Sequence, residues 1–382
     1  MDKNKQNPRQ STLCVHAGTH VDEHTRGVNS PIFTSTAYSY PNPANENVYP
    51  RYFNVPNQAV IGRKLAALEQ GEEGLVFGSG MAAISTLLLA HLKTGDHAIF
   101  QADLYGGTFH FVANELPRFG VEVSFARKME EFGALVGPNS RLIYVESPSN
   151  PLLHCVDLAA IAALGKTRGL LTIIDNTFAS PINQTPLALG INAVVHSGTK
   201  YLNGHSDVNA GVVVSTREVI QRTAGCAVDH GGMLDAHSCY QLERGLKTLA
   251  LRIRQHNENA GRLATFLQRH PAVTKVLYPG LPDHPDHANA GRQMRGFGGM
   301  LSFELSDARR VDGVLERFRV VTPALSLGGV ESLVCVPSRT SHRTMSPEDR
   351  QRVGITDGLI RVSVGIEDIE DLLEDFGQAL AD

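Results

Sequence analysis

The sequence predicts an α/β protein built on a large, mostly parallel sheet and followed by a smaller α+β domain. Three observations carry this reading. Short apolar runs alternate with helical or loop segments, as in "HAIFQAD", "VEVSFA", "RLIYVES", "LLTIIDN" and "NAVVHSG". Each run ends in polar or small residues, and such runs read as strands buried on both faces. The length of 382 residues exceeds what one hydrophobic core usually serves, so two domains are expected.

Residues 1–50 carry prolines, asparagines and histidines with little periodicity and read as an extended arm. "QAVIGRKLAALEQ" is helical, with Val60, Ile61, Lys64-Leu65 and Leu68 at three-to-four spacing. "GLVFGSGMAAISTLLLAHL" reads as a strand, a glycine turn and a buried helix. The strand runs then follow, and their carboxyl ends fall at Asp175 and at the Ser197–Lys200 group, where ligands sit in such sheets. One long helix is expected in "RGLKTLALRIRQHNENAGRLATFLQRHP". Its stripe is Leu246, Leu249, Ile253, Ala260, Leu263 and Leu267, and Pro271 marks its end. The smaller domain holds strands near "GMLSFEL" and "LIRVSVG" and a closing amphipathic helix at "DIEDLLEDFGQALA". The chain thus divides into an arm (1–50), a large domain (51–245) and a C-terminal domain (246–382).

Composition excludes several classes. A net charge of −4 offers no basic surface for nucleic acid. The longest apolar stretch, Met81–Leu92, is broken by serine, threonine and histidine and is too short to span a membrane. The polar "MDKNKQNPRQ" lacks a signal peptide's apolar core. Five cysteines without CxxC spacing argue against a disulfide framework, so a cytoplasmic location is expected. Cys155 and Cys335 read as core fillers. Among sixteen histidines, His196, His205, His230 and His237 give no HxH or HExxH pair, so no metal is expected. No GxSxG of a serine hydrolase follows a strand.

The chemistry concentrates in "VVHSGTKYLNGHSD", residues 194–207. Lys200 is either the start of a surface loop or a functional amine. Ser197 and Thr199 supply hydroxyls, Gly198 admits close backbone approach, and a desolvated lysine forms Schiff bases with carbonyls. Asp175, directly after Thr172-Ile173-Ile174, is a turn aspartate or a buried carboxylate that needs a partner. "FGSGMAA", residues 77–83, fits the loose GxGxxG/A pattern, with Asp103 about where a ribose-binding acid falls. A dinucleotide-dependent oxidoreductase is therefore the alternative from another class. The helix starting near Met81 offers free N–H groups to any phosphate. A dinucleotide leaves Asp175 and Lys200 without a task. Pyridoxal phosphate uses all three segments, with Asp175 keeping the pyridine nitrogen protonated and Lys200 holding the aldehyde. Tyr105 in "DLYGGT" is a packing residue or a ring that stacks on the cofactor and transfers protons. Arg361, inside "LIRVSVG", is a salt-bridged core arginine or a fork for an amino acid's carboxylate.

With these residues together, the sequence closely resembles the trans-sulfuration family of pyridoxal phosphate enzymes, from about Thr12 to the C-terminus. The family includes cystathionine γ-lyase, methionine γ-lyase, cystathionine γ-synthase and cystathionine β-lyase. The motifs that carry the likeness are "FGSGMAAI", "LYGGTF", "ESPSNP", "IIDNTFASP", "HSGTKYLNGHSD", "RGLKTLALR", "YPGLPDHP", "SLGGVESL" and "IRVSVGIED". The resemblance implies fold type I, the aspartate-aminotransferase-like fold, and a homotetramer of two tight dimers with shared active sites. It makes Lys200 the Schiff-base lysine, Asp175 the pyridine-nitrogen partner and Tyr105 the stacking tyrosine. Gly80, Met81, Ser197 and Thr199 fall where the family binds phosphate. Tyr49 and Arg51, in the segment that joins the arm to the large domain, look like the pair that reaches the neighbouring subunit's phosphate. Asn150, Ser326 and Arg361 match positions that hold the substrate and its α-carboxylate. The implied activity is a carbon–sulfur γ-lyase cleaving cystathionine or methionine to a thiol, ammonia and 2-oxobutanoate, with γ-synthase and β-lyase as alternatives.

The chain also departs from the family pattern. Tyr49-Pro50-Arg51 stands for the usual Tyr-Ser-Arg, and Val48 and His110 stand where cystathionine γ-lyases often carry glutamate and arginine. Gly107 takes the place of a cysteine typical of methionine γ-lyases, and "PSRTSHRTM" differs from the common Pro-Ala-x-Met-Thr-His. On this reading a distal charge on the substrate gains little, and cystathionine and methionine are cleaved with a small gap between them.

Overall fold

The computed structural model describes residues 8–41, 47–343 and 345–381. The portions of the expected arm at residues 1–7 and 42–46 lie outside the described residues. Each apolar run forms a strand. The large sheet comprises β1 (Glu73–Phe77), β2 (His97–Gln101), β3 (Glu122–Ala126), β4 (Ser140–Glu146), β5 (Leu171–Asp175), β6 (Ala193–Ser197) and β7 (Gly211–Ser215). Their order is β1-β7-β6-β5-β4-β2-β3, and β7 runs antiparallel to both its neighbours. β7 was not among the expected strands, although its Val212-Val213-Val214 run is the same kind of signal.

Burial on both faces explains why the runs are continuously apolar. Leu142 and Tyr144 of β4 pack with Phe100, Ile173 and Val195 beneath the Gly80–His91 helix. Ile143 and Val145 pack on the opposite face with Ile174, Val194 and the Leu158–Arg168 helix. All of these strand residues are fully buried, and each such side chain contributes roughly 1.5–3 kcal/mol relative to exposure.

The second sheet has β8 (Val273–Leu277), β9 (Met300–Leu305), β10 (Thr322–Pro323), β11 (Leu333–Cys335) and β12 (Leu359–Ser363) in the order β10-β11-β12-β9-β8. It is two-faced. Ile360 and Val362 join Leu301, Phe303 and the closing helix Ile369–Leu380 in one core. Alternation sends Arg361 and Ser363 to the other face, which looks toward the loops of the large sheet: Ser302, opposite Arg361, donates from Oγ to Pro151 O at 2.7 Å.

The expected long helix is two helices, Ala236–Lys247 and Leu249–Gln268, broken at Thr248. Its whole apolar stripe is buried, so periodicity gives no sign of the break. Arg252 braces the break, donating from Nη2 to Gly245 O at the junction (2.8 Å) and from Nη1 to Tyr201 O in the segment after β6 (2.8 Å). The arm also differs from expectation, because it contains a short helix, Gln10–His16. The buried Lys64 donates from Nζ to the carbonyls of Cys14 (3.1 Å) and Val15 (3.4 Å) at the end of that helix. No described helix is long and apolar enough to cross a membrane.

Candidate active site

The carboxyl ends of the parallel strands open on a cavity of about 690 Å³. Its lining brings together Gly80, Met81, Tyr105, Asn150, Asp175, Ser197, Thr199, Lys200, Ser326 and Arg361.

One end is a tight backbone cradle. Ser79 caps the Gly80–His91 helix by accepting from Ala82 N at 3.1 Å. A Cβ on Gly80 would lie 3.0 Å from Ser197 Cβ, and Ser79 O occupies the place of a Cβ on Gly211. The helix start, the end of β6 and the start of β7 therefore converge on one spot. Helix N–H groups and the Ser197 and Thr199 side chains line it, which suits a phosphate dianion. Thr177 ties this cradle to the middle of the cavity. Its hydroxyl accepts from Ser197 N (2.8 Å) and donates to Asp175 Oδ1 (2.5 Å).

Two carboxyl groups occupy the middle. β4 and β5 are in register, so Glu146 lies opposite Asp175. Burial raises both pKa values, and Asp175 adds to the rise at Glu146. Asp175 keeps the charge, since Thr177 N (3.0 Å) and the Thr177 hydroxyl both donate to it and His196 lies near. Glu146, pushed well above the usual range, holds the proton and accepts from Tyr105 N at 2.9 Å. Glu146 was not singled out from the sequence.

Lys200 follows β6. Burial first, and then the neighbouring Arg361 charge, bring its amine down to about 8. Nζ donates to Ser326 Oγ at 2.8 Å. Ser326 itself stands at φ 87°, a costly conformation for a residue with a Cβ. Arg361 is 4 % exposed; it donates from Nη1 to Asn150 Oδ1 (3.0 Å) and from Nη2 to Ser326 O (3.0 Å), while its buried Nε has no partner among the described residues. An orphaned guanidinium N–H beside an amide side chain suits a carboxylate.

The residues present fit pyridoxal phosphate. The cradle would take the phosphate, Asp175 a protonated ring nitrogen and Lys200 the aldehyde carbon. Tyr105, 41 % exposed, offers an uncovered ring at the β2 side.

Several residues fall elsewhere. Tyr49 and Arg51 do not line this cavity; Arg51 donates from Nη1 to Val228 O at 2.6 Å and sits 5.5 Å from the Tyr52 ring centre. His110 is exposed and also outside the lining. Asp103 lies outside it too, accepts the Ser149 hydroxyl, and carries no dinucleotide reading. His196 is spent on buried Glu69 at 2.5 Å. Arg339 and Arg343, within "PSRTSHRTM", do line the cavity and were read only as a departure from the family pattern.

The two sheets and this site define a pyridoxal-phosphate-dependent enzyme of fold type I. The family described as Cys/Met metabolism PLP-dependent enzyme matches residues 11–381, and the chain belongs to it. The chain is 44% identical over 377 residues to a Bacillus subtilis cystathionine γ-lyase, covering 97% of this chain and 99% of that protein. It is 43% identical over 382 residues to a Mycobacterium bovis cystathionine γ-synthase, covering 97% and 96% respectively. The crystal structure of a Lactobacillus plantarum cystathionine γ-lyase complexed with L-serine superposes with a TM-score of 0.93 at 39% identity, covering 97% of this chain and 98% of that one.

Two outcomes follow from the site's electrostatics. With Lys200 as the group that would take the cofactor aldehyde, its neutral amine would be the nucleophile, so apoenzyme loading should accelerate with pH and level off above about 8. Stopped-flow absorbance in the near-visible reads this, and a rate still climbing toward pH 10.5 would contradict it. Glu146→Gln, which mimics a protonated carboxyl, should retain cofactor affinity within about threefold, whereas Asp175→Asn should lose tenfold or more, roughly 1.4 kcal/mol. Equal losses in equilibrium titrations would reverse the charge assignment.

Proposed function

We propose that this chain is a carbon–sulfur γ-lyase that cleaves cystathionine and methionine to a thiol, ammonia and 2-oxobutanoate. The supporting observation is Lys200, a half-buried amine brought down to about 8 and hydrogen-bonded to Ser326. Elimination across Cα and Cγ requires protons to be taken in turn from Cα and Cβ before the thiolate leaves, and an amine near neutrality serves both transfers. Pyridoxal phosphate, when bound, supplies the aldehyde that captures the substrate amine and the ring that accepts negative charge. Arg361 and Asn150 grip the α-carboxylate, which turns the Cα–H toward Lys200. Asp175 keeps the ring nitrogen charged. The Tyr105 hydroxyl gives a proton to the departing sulfur.

The two γ-lyases above support this activity, and the γ-synthase at 43% identity supports a second reading, γ-replacement on an activated homoserine. Steady-state kcat/KM values for L-cystathionine, L-methionine, L-homocysteine, L-cysteine and O-succinyl- or O-acetyl-L-homoserine with cysteine separate them. Formation of 2-oxobutanoate from the thioethers is expected. Efficient condensation with little 2-oxobutanoate would make the chain a synthase, and pyruvate from cystathionine would make it a β-lyase.

A shared active site in a homotetramer belongs to the same proposal. Tyr49 and Arg51 sit outside their own cavity on an exposed segment, as a pair serving a neighbour's phosphate would. Mixing inactive Arg51→Ala and Lys200→Ala enzymes should restore partial activity, because each hybrid dimer regains one complete site. No recovery after verified subunit exchange would refute the sharing.

A further inference from the structure

The cavity contains more positive charge than the chemistry above uses. Arg361 is committed to the α-carboxylate and Lys200 to the cofactor, yet Arg339 and Arg343 also line the space. They do not serve the phosphate cradle. Their segment, 337–343, packs on the turn after β2, where Ser341 O fills the place of a Cβ on Gly106 and His342 Nε2 donates to Leu104 O at 3.3 Å. The cradle lies at β1, β7 and β6. In the order β6-β5-β4-β2 three strand spacings separate the two ends, roughly 14 Å.

The segment is a built surface. His342 is 1 % exposed, and burial brings it down to about 4, so it is neutral, with Nδ1 accepting from the Ser341 hydroxyl (2.8 Å). The Thr340 hydroxyl donates to Val336 O at 2.7 Å. Both hydroxyls are thus spent internally, and the guanidinium groups are what this wall offers a ligand. Arg339 is tied to Asp312 of the Val311–Arg317 helix. Arg343 is exposed, and its side chain has no partner among the described residues. The carboxyl groups of the cavity lie elsewhere: Asp175 is committed to Thr177 and the ring, and Glu146 holds a proton.

We propose that Arg343, supported by Arg339, forms a subsite for a carboxylate at the far end of the substrate, so that two-ended sulfur amino acids are preferred over those with an apolar tail. This rests on the reading of the chain as a sulfur amino-acid enzyme, and it replaces the expectation drawn from Val48 and His110. Guanidinium recognition of a carboxylate is planar and bidentate, and a distal thioether methyl gains nothing from it.

The test compares substrate pairs that differ at the distal end. In Arg343→Gln, kcat/KM for L-cystathionine should fall about tenfold or more, mostly through KM, while L-methionine stays within twofold; Arg343→Lys should restore part of the loss. Should the chain prove to be a synthase, O-succinyl- and O-acetyl-L-homoserine form the equivalent pair, and the succinyl ester alone should suffer. Should neither pair turn over, the proposed function fails, and calorimetric titration of the holoenzyme with L-cystathionine against L-methionine still decides the subsite. Parallel losses within a pair, or no loss in either member, would overturn it.

Discussion

Two carboxyl groups lie opposite each other at the ends of adjacent strands, where burial raises both pKa values and the Asp175 charge lifts Glu146 further. The in-register pairing of β4 and β5 fixes Glu146 against Asp175, and the donors from Thr177 select Asp175 as the anion. The cavity therefore carries one negative charge at its centre, a phosphate cradle on the β6 side and guanidinium groups toward the other wall. This polarity matches a cofactor whose phosphate and pyridine nitrogen are held apart by a rigid ring. Thr177 is the hinge of the arrangement, since one hydroxyl orients both the carboxylate and the backbone leading to Ser197.

The strands were legible because burial on both faces leaves no polar interruption until a strand ends, and Asp175 and Lys200 stood out as the interruptions. The residues that escaped reading depend on partners distant in sequence. Glu146 looks like any acid that ends a strand until Asp175 is placed opposite it. The break at Thr248 is braced by Arg252, which reaches the carbonyl of Gly245 and, outside the helix, that of Tyr201; an unbroken apolar stripe conceals it. β7 carries an ordinary valine run, and the run itself does not show that the strand lies antiparallel between β1 and β6. Arg339 and Arg343 sit in a segment without periodicity, so only folding shows that they face the same space as Lys200.

The segment after β6 shows how the fold holds a reactive amine in place. Lys200 N donates to Ser197 O, Gly204 N donates to Lys200 O, and Arg252 grips the carbonyl of Tyr201. The backbone on both sides of the lysine is thereby clamped, while its side chain rests on the Ser326 hydroxyl. In the proposed reaction, a lysine that moves a proton between neighbouring carbons would need this combination of fixed origin and mobile tip. The second sheet supplies the opposing wall through the polar face of β12, so the reaction space lies between a parallel sheet that presents strand ends and an antiparallel one that presents a strand face.

The contact between Gly106 and the carbonyl of Ser341 has an evolutionary consequence. The segment that carries Arg339 and Arg343 is seated on the Tyr105 turn through backbone atoms and the buried His342. Neither guanidinium group takes part in that seating. The side chain at position 343 can accordingly be exchanged without disturbing that seating, whereas Arg339 also ties the segment to Asp312. If the proposed subsite holds, this separation would let what the cavity accepts at that wall change without moving the groups that line its centre.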